Sequence, residues 1–465
     1  MERITVGDIT KACGGHLLCG NLNDRLLHIR LDSRQVGEGD LFVPLVGARK
    51  DGHDFIPQVL LAGAGAVLTS EHRFAQGEKA WIAVDDTKAA LQRIGSFFRE
   101  RNPLPLVGIT GSVGKTTTRE MIAAALSARY RVYKTPGNYN SQVGVPVTLS
   151  EIGSEDEIGV IELGMSEPGE MCRIARIARV NQAVMTNIGV AHIGQLGSQE
   201  NICKEKLQIQ EGMKEGGILF VNGDDPFLRK VKAKEGCQKI SYGIGDNCDY
   251  QAVDIGKEEG YPVFAAWDKK RNTKAKVKLS VFGNHMISNA MAALAVAREN
   301  GIPMEEAAAA LAGFYGAKGR QRIFKEREIQ VIDDSYNASP VSMKAGIGVL
   351  CDVPVKGARV AVLADMKELG LEEVGYHREV GSFLAGHPVD SVVLFGELAG
   401  EIGKQAQKEC KNLPKKADFI YVLDREELVL WLRENVKPGD AVLFKGSNSM
   451  GLHAVVREVF PESSS

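Results

Sequence analysis

The run Val107 to Thr118, VGITGSVGKTTT, limits what this 465-residue chain can fold into more than any other part of it. A short apolar, β-prone stretch enters a glycine-rich turn, and Lys115-Thr116 then opens an amphipathic helical pattern. A strand that turns tightly into a helix lets glycine N–H groups close around phosphate oxygens, and the helix N-terminus adds partial positive charge. Lys115 is suited to neutralise β- and γ-phosphates, and the Thr116 hydroxyl to ligate Mg²⁺. The spacing is GxxGKT from Gly111 to Thr116, tighter than GxxxxGK[ST], because the position five before Gly114 is Ile109. Thr110, Gly111, Ser112, Val113, Gly114, Lys115, Thr116 and Thr117 are the expected contacts of a nucleoside triphosphate.

The same alternation fills most of the chain. AVLTS, IGVIEL, AVMTNIG, GILFVN, ARVAVLAD, SVVLFGE and DAVLFKGS read as buried strands. Between such runs, Lys115–Arg129, Ser288–Asn300 and Met304–Leu311 carry apolar residues at helical spacing. Strand–helix alternation predicts an α/β protein built on parallel sheets. The charged, proline-containing Phe98 to Pro105 (FRERNPLP) follows the helical Lys88–Phe97 and reads as a linker. A second boundary falls at Gly313–Gly319, after which a hairpin-like FKEREIQVIDD restarts the pattern. The predicted division is 1–100, 101–316 and 317–465, with the terminal Ser-Ser-Ser read as frayed.

With 44% hydrophobic and 25% charged residues, disordered, collagen-like and coiled-coil architectures are excluded. Lys plus Arg is 57 against 59 for Asp plus Glu, which gives no bulk attraction to nucleic acid or anionic membrane. The start MERITVGDITKACGG has no basic segment followed by an apolar one, so no signal peptide is expected. No apolar run approaches the ~20 residues of a membrane span. The eight cysteines show no CxxC spacing and read as residues of a reducing compartment. A cytoplasmic protein with no membrane span and no nucleic-acid partner is expected.

Other residues narrow the chemistry. Glu162 ends the strand IGVIEL, where a carboxylate faces the ligand crevice and could hold a divalent ion or orient water. His192 follows AVMTNIG in a similar position. Lys204 and Lys206 lie on a helical stretch opened by Ser198 as N-cap, and a charge-mixed helix of this kind is ordinarily a solvated face. Asn138 to Ser141 form a polar turn.

TGSVGKTT, GNYNSQVGVP, IELGMSEPGE, TNIGVAHIGQLGS, NGDDP, GNHMISNAMAAL, KGRQRIF, DDSYNASPVSM and LFKGSNSM, in this combination, resemble the Mur ligases, the amide-forming ligases of peptidoglycan precursor synthesis. LDSRQVGEGDLFVPLVGARKDGHDF resembles the uridine-nucleotide domain shared by the third-residue-adding and dipeptide-adding members. VLADMKELG with His377, and the absence of a DNPR-type motif, favour the dipeptide-adding branch.

The resemblance implies three α/β domains: an N-terminal uridine-nucleotide domain, a central P-loop ATP-binding parallel-sheet domain and a C-terminal Rossmann-like domain. It implies an ATP- and Mg²⁺-dependent ligase, a monomer, joining D-alanyl-D-alanine to UDP-MurNAc-tripeptide through an acyl phosphate. Lys115 would stabilise the transferring phosphoryl group, Thr116 and Glu162 would ligate Mg²⁺, and His192 would bind a second Mg²⁺. Lys206 stands at the family's carbamylated lysine, with Lys204 as the competing candidate. Asn289, Arg320, Asp334, Tyr336 and Asn337 match positions around adenine, phosphate and ribose. Asp32, Ser33, Arg34 and the Gly47–His53 loop, with Gly47, Asp51, Gly52 and His53, match the uridine-nucleotide region.

The chain departs from the family pattern at Gln208 (commonly Glu), Met286 (Asn), Ser141 (Asn) and Asn448 (Arg), the last leaving Lys445 and Ser447 as the phosphate or carboxylate contacts. Two other readings stand beside this one. One is a third-residue-adding or folylpolyglutamate-type ligase, and the other is a nucleotide-hydrolysing switch or binding protein.

Overall fold

The phosphate-loop strand, Leu106–Thr110, is buried at every position and lies inside a nine-stranded sheet. The computed structural model describes residues 4–461 except 48, 318 and 410–416. The terminal serines, Cys410 and the Lys318 of KGRQRIF therefore lie outside the described residues. Reading across the central sheet, the order is Thr273–Lys278, Tyr261–Asp268, Tyr250–Glu258, Gln238–Gly243, Ile218–Asn222, Gln182–Met185, Leu106–Thr110, Ile158–Glu162 and Val132–Lys134. Pairing is parallel from Val132–Lys134 as far as Tyr250–Glu258, and the last two strands add on antiparallel. Parallel strands buried on both faces explain the unbroken Val/Ile runs.

Helix Lys115–Leu126 packs on helix His285–Glu299 over one face of this sheet. In the second helix, Ala290 to Ala297 are each 0% exposed, so its alanine-rich segment is enclosed all round. Small side chains there let two helices and the sheet approach closely.

Before the central sheet comes a five-stranded one, ordered His16–Cys19, Ala80–Ala83, Ala66–Thr69, Leu41–Phe42, Ile29–Arg30, parallel except for its first pair. After it comes a six-stranded sheet, ordered Arg322–Glu326, Ile329–Asp334, Ala441–Lys445, Arg359–Ala364, Ser391–Phe395, Asp418–Val422. Arg322–Glu326 and Ile329–Asp334 form the expected hairpin, and the remaining pairs are parallel. Among the described residues, no helix is long and apolar enough to cross a membrane.

The linker reading of FRERNPLP needs correction, because helix Thr87–Arg101 runs through its first half. Phe98 is buried, and the Arg99 guanidinium donates to the carbonyls of Ala178 (2.8 Å), Asn102 (2.7 Å), Leu104 (3.0 Å) and Arg179 (3.1 Å). A charge satisfied by four carbonyls is a fixed joint between the first two sheets, and only Asn102 to Pro105 connect as a linker would. The central and C-terminal sheets also share packing. Phe282 joins the C-terminal core, with the Tyr261 ring 4.2 Å away, and Lys257 pairs with Asp352 at 2.5 Å.

Candidate active site

Three neighbouring strands, Leu106–Thr110, Ile158–Glu162 and Gln182–Met185, end on the same side of the central sheet, where open α/β sheets bind ligands. Gly111 leaves the first at φ +150°, and a Cβ there would stand 1.9 Å from the Thr186 hydroxyl, so no side chain fits. Gly114, at φ +83°, opens helix Lys115–Leu126 without a side-chain cap, leaving the first-turn N–H groups for a ligand. The loop is held from the next strand's end: Val113 N–H donates to Asn187 Oδ1 (2.9 Å), while Thr186 Oγ1 and Asn187 Nδ2 donate to the Val113 carbonyl (2.7 and 2.9 Å). Thr186 and Asn187 were visible in TNIG, yet nothing in the sequence alone told which loop they brace.

Lys115 folds back, donating from Nζ to the Gly111 carbonyl at 2.8 Å. Burial lowers its pKa, the Glu162 charge works the other way, and Arg320 adds a smaller lowering. Glu162, 2% exposed, is the hub of the site. Its Oε2 accepts from Thr116 Oγ1 (3.0 Å) and Arg119 (3.4 Å), and its Oε1 from Asn140 Nδ2 (2.8 Å). The polar turn 138–141 thus reaches the site, and Arg119, which sequence reasoning missed, supplies a buried cation.

His192 sits in the left-handed region at φ 63°. Its Nδ1 is 3.0 Å from Glu368 Oε2, an ion-pair distance reached without hydrogen-bond alignment, so the buried nitrogen has no hydrogen-bond partner among the described residues. Burial lowers its pKa first, then the Lys206 charge, with Glu368 opposing. Ser198 caps helix Gln199–Leu207 as expected, accepting from Asn201 N–H at 3.2 Å. The helix is not a solvated face, because Ile202, Cys203, Glu205 and Lys206 are buried while Lys204 is exposed. Lys206 is 1% exposed, and burial followed by repulsion from Lys115 drives its pKa well down.

The remaining predicted residues divide. Asn289 accepts from Thr118 Oγ1 (3.2 Å) beside Gly114, and Arg320 stacks over the Tyr336 ring at 3.9 Å. Asp334 is engaged by Lys445 Nζ (2.5 Å) and Gln321 N–H (3.2 Å), so the phosphate-contact expectation for Lys445 meets an amine already paired and 1% exposed. The Asn337 carbonyl also accepts from Lys445, at 3.2 Å. Asn448 donates to the Tyr336 carbonyl, and Met286 is buried against Asn289. Gln208 donates to Glu205, and Ser141 Oγ accepts from Gly144 N–H. Ser447 Oγ accepts from Lys367 N–H.

The N-terminal set lies apart, on the five-stranded sheet. Asp32 caps Ser33–Gln35 and pairs with Arg34 at 2.6 Å. Asp51 caps Gly52–Phe55 and binds His53 Nδ1 at 2.6 Å, while the buried His53 accepts from Ser70 N–H. Gly52 packs so closely on Leu45 that a Cβ would stand 2.6 Å from its backbone nitrogen, and Gly47 N–H closes the loop on the Lys50 carbonyl.

Three family models match the chain in order: Mur ligase family, catalytic domain, over residues 26–99; Mur ligase middle domain, over 109–297; and Mur ligase, glutamate ligase domain, over 319–448. The UDP-N-acetylmuramoyl-tripeptide–D-alanyl-D-alanine ligase of Bacillus subtilis (strain 168) is 36% identical over 462 residues, 99% of each chain. Among solved structures, MurF from Acinetobacter baumannii superposes with a TM-score of 0.86 at 30% identity, over 98% of both chains. The MurF ligase from Thermotoga maritima in complex with ADP gives 0.79 at 30% identity, covering 94% of this chain and 97% of that one.

Proposed function

The chain belongs to the Mur ligase family, and from that premise we propose that it is the ATP-dependent ligase joining D-alanyl-D-alanine to UDP-MurNAc-tripeptide. The observation that carries the reading is the gathering of Lys115, Glu162, His192 and Lys206 at one end of one sheet. It occurs in a chain that matches dipeptide-adding ligases from end to end. Neither a third-residue-adding ligase nor a switch has a comparable observation in its favour.

We assign the ATP site to Thr110–Thr117 with Asn289, Arg320, Asp334, Tyr336 and Asn337, and the uridine-nucleotide site to Asp32–Arg34 and Gly47–His53. The boundaries we adopt are 1–100, 101–316 and 317–465. The residues suit nucleotide and metal. Thr110 Oγ1 and His192 Nδ1 are buried polar atoms without hydrogen-bond partners among the described residues, and Gly111 leaves a cradle that a Cβ would fill. Thr116, Glu162 and His192, with Lys206 as a carbamate, are the residues that would hold Mg²⁺. When bound, Mg²⁺ offsets the repulsion between phosphate and carboxylate oxygens.

Lys115 releases the Gly111 carbonyl and turns to the γ-phosphate as the tripeptide carboxylate attacks phosphorus, giving an acyl phosphate and ADP. The dipeptide nitrogen, having lost one proton, then attacks the acyl carbon. The C–N bond forms, the C–O bond to phosphate breaks, and the electron pair leaves with phosphate. Of the two protons the ammonium gives up, one ends on phosphate and one in solvent. Because an acyl phosphate hydrolyses in water, packing of the C-terminal domain over this site protects it. The cytoplasm suits these substrates and the free thiols of the described cysteines.

The test is phosphate release with ATP and Mg²⁺, with and without each acceptor, alongside mass detection of the pentapeptide product. Release that needs both substrates, matched one for one by product, is expected. Release indifferent to both would overturn the reading. The carbamate is checked with carbon-13 bicarbonate, which should give a carbamate signal that Lys206→Met lacks.

A further inference from the structure

The C-terminal domain sends one carboxylate to the phosphoryl-transfer centre, and the scheme above gives it no task. Glu368 lies between strand Arg359–Ala364 and helix Glu373–Ala385, and its Oε2 stands 3.0 Å from His192 Nδ1 on the central domain. Among the described residues, His192 is its only ion-pair partner. The adjacent Lys367 turns instead to Asp365, at 2.8 Å, so no lysine of its own loop neutralises Glu368.

The loop is fixed on both sides of this carboxylate. Met366 N–H donates to Nε2 of the buried His377 (3.0 Å), the histidine that follows VLADMKELG, and Lys367 N–H donates to Ser447 Oγ (2.8 Å). A Cβ built on Gly194 would stand 3.6 Å from the Gly370 Cα, so the loop meets the helix that follows His192. Glu368 itself has φ +65°, a conformation that non-glycine residues keep only when the surroundings hold them there. The side chain nevertheless remains 60% exposed and within reach of a ligand.

Charge gives this placement a meaning. The other charged neighbours of His192 include Lys115, a cation suited to phosphates and a carboxylate. The second acceptor arrives with the opposite sign, because a peptide α-amino group titrates at about 7.7–8.0 and is mostly ammonium at neutral pH. The Lys115 charge repels it, and the exposed Glu368 carboxylate attracts it. We propose that Glu368 binds the ammonium group of the incoming dipeptide and holds its nitrogen beside the activated carbonyl, through a charge-assisted hydrogen bond.

This inference rests on the ligase reading, and the two fail differently. Glu368→Gln keeps the shape and removes the charge. With ATP, Mg²⁺ and UDP-MurNAc-tripeptide but no dipeptide, the acyl phosphate is trapped with hydroxylamine, a small nucleophile that is uncharged at neutral pH. The variant should trap as much hydroxamate as wild type, while its KM for D-alanyl-D-alanine rises about 10- to 100-fold. Glu368→Asp should recover part of that loss. An unchanged KM, or a fall in hydroxamate that parallels the loss of ligation, would overturn the proposal. Wild-type protein that forms no hydroxamate would remove the ligase reading itself.

Discussion

Lys206 and Lys445 are equally buried, at 1% exposure, and the protein treats them in opposite ways. Lys445 ends a strand of the C-terminal sheet directly opposite Asp334 on the neighbouring strand, and its ammonium meets that carboxylate at 2.5 Å. Lys206 lies beside Glu205, whose oxygens are already taken by Met171 N–H (3.1 Å) and Gln208 Nε2 (3.3 Å). Its strongest charged neighbour is another cation, Lys115. A buried charge with a partner braces the fold, whereas a buried charge without one costs stability and persists where chemistry needs it.

The comparison can be broken in four ways. The largest effect is on activity: Lys206→Met should lower product formation at least ~100-fold, the scale of one lost electrostatic contact, while nucleotide binding at the loop persists. Turnover near wild type, or an equal loss of ATP affinity, would place Lys206 with the structural lysines. Next comes stability. Lys445→Met leaves Asp334 uncompensated and should cost about 3–5 kcal/mol in urea denaturation, whereas Lys206→Met should be neutral or stabilising. Equal losses would mean that Lys206 has a partner after all.

A smaller effect sharpens the contrast through pH. In protein with an unmodified Lys206 amine, folding lowers its pKa from 10.5, so the unfolded chain binds more protons between the lowered value and 10.5. Stability should therefore climb with pH through that window, the penalty being greatest below it. Lys206→Met should flatten the climb, as read from urea midpoints from neutral to alkaline pH. The smallest effect belongs to the exposed pair of Asp32 and Arg34. Although Arg34 holds the Asp32 carboxyl down at about 2, Asp32→Asn should scarcely move the midpoint, because the pair lies in water. Its effect should appear instead in UDP-substrate binding.

The contrast also marks what could be read beforehand. The phosphate loop, Glu162 and His192 were legible because each sits at the end of an apolar run, and strand ends carry the ligands of parallel sheets. Lys206 was not separable from Lys204 by charge pattern, since the buried side of helix Gln199–Leu207 is set by what packs on it, not by its own composition. Pairing of Asp334 with Lys445 spans 111 positions and leaves no local trace. Thr186 and Asn187 were in view, but their work on Val113 depends on strand order. Arg99 hid in a charged stretch because its partners are backbone carbonyls, which no sequence displays.

One feature of the C-terminal sheet bears on how the protein is made. Strand Ala441–Lys445 comes last in the chain, yet it lies between Ile329–Asp334 and Arg359–Ala364. A ribosome delivers the five flanking strands first, as two unjoined groups with unpaired edges facing a gap. At about 5–20 residues per second, tens of seconds at most separate the start of that sheet from the arrival of its middle. During that interval the nascent chain already carries the Gly111–Thr116 phosphate loop with no completed C-terminal sheet docked beside it.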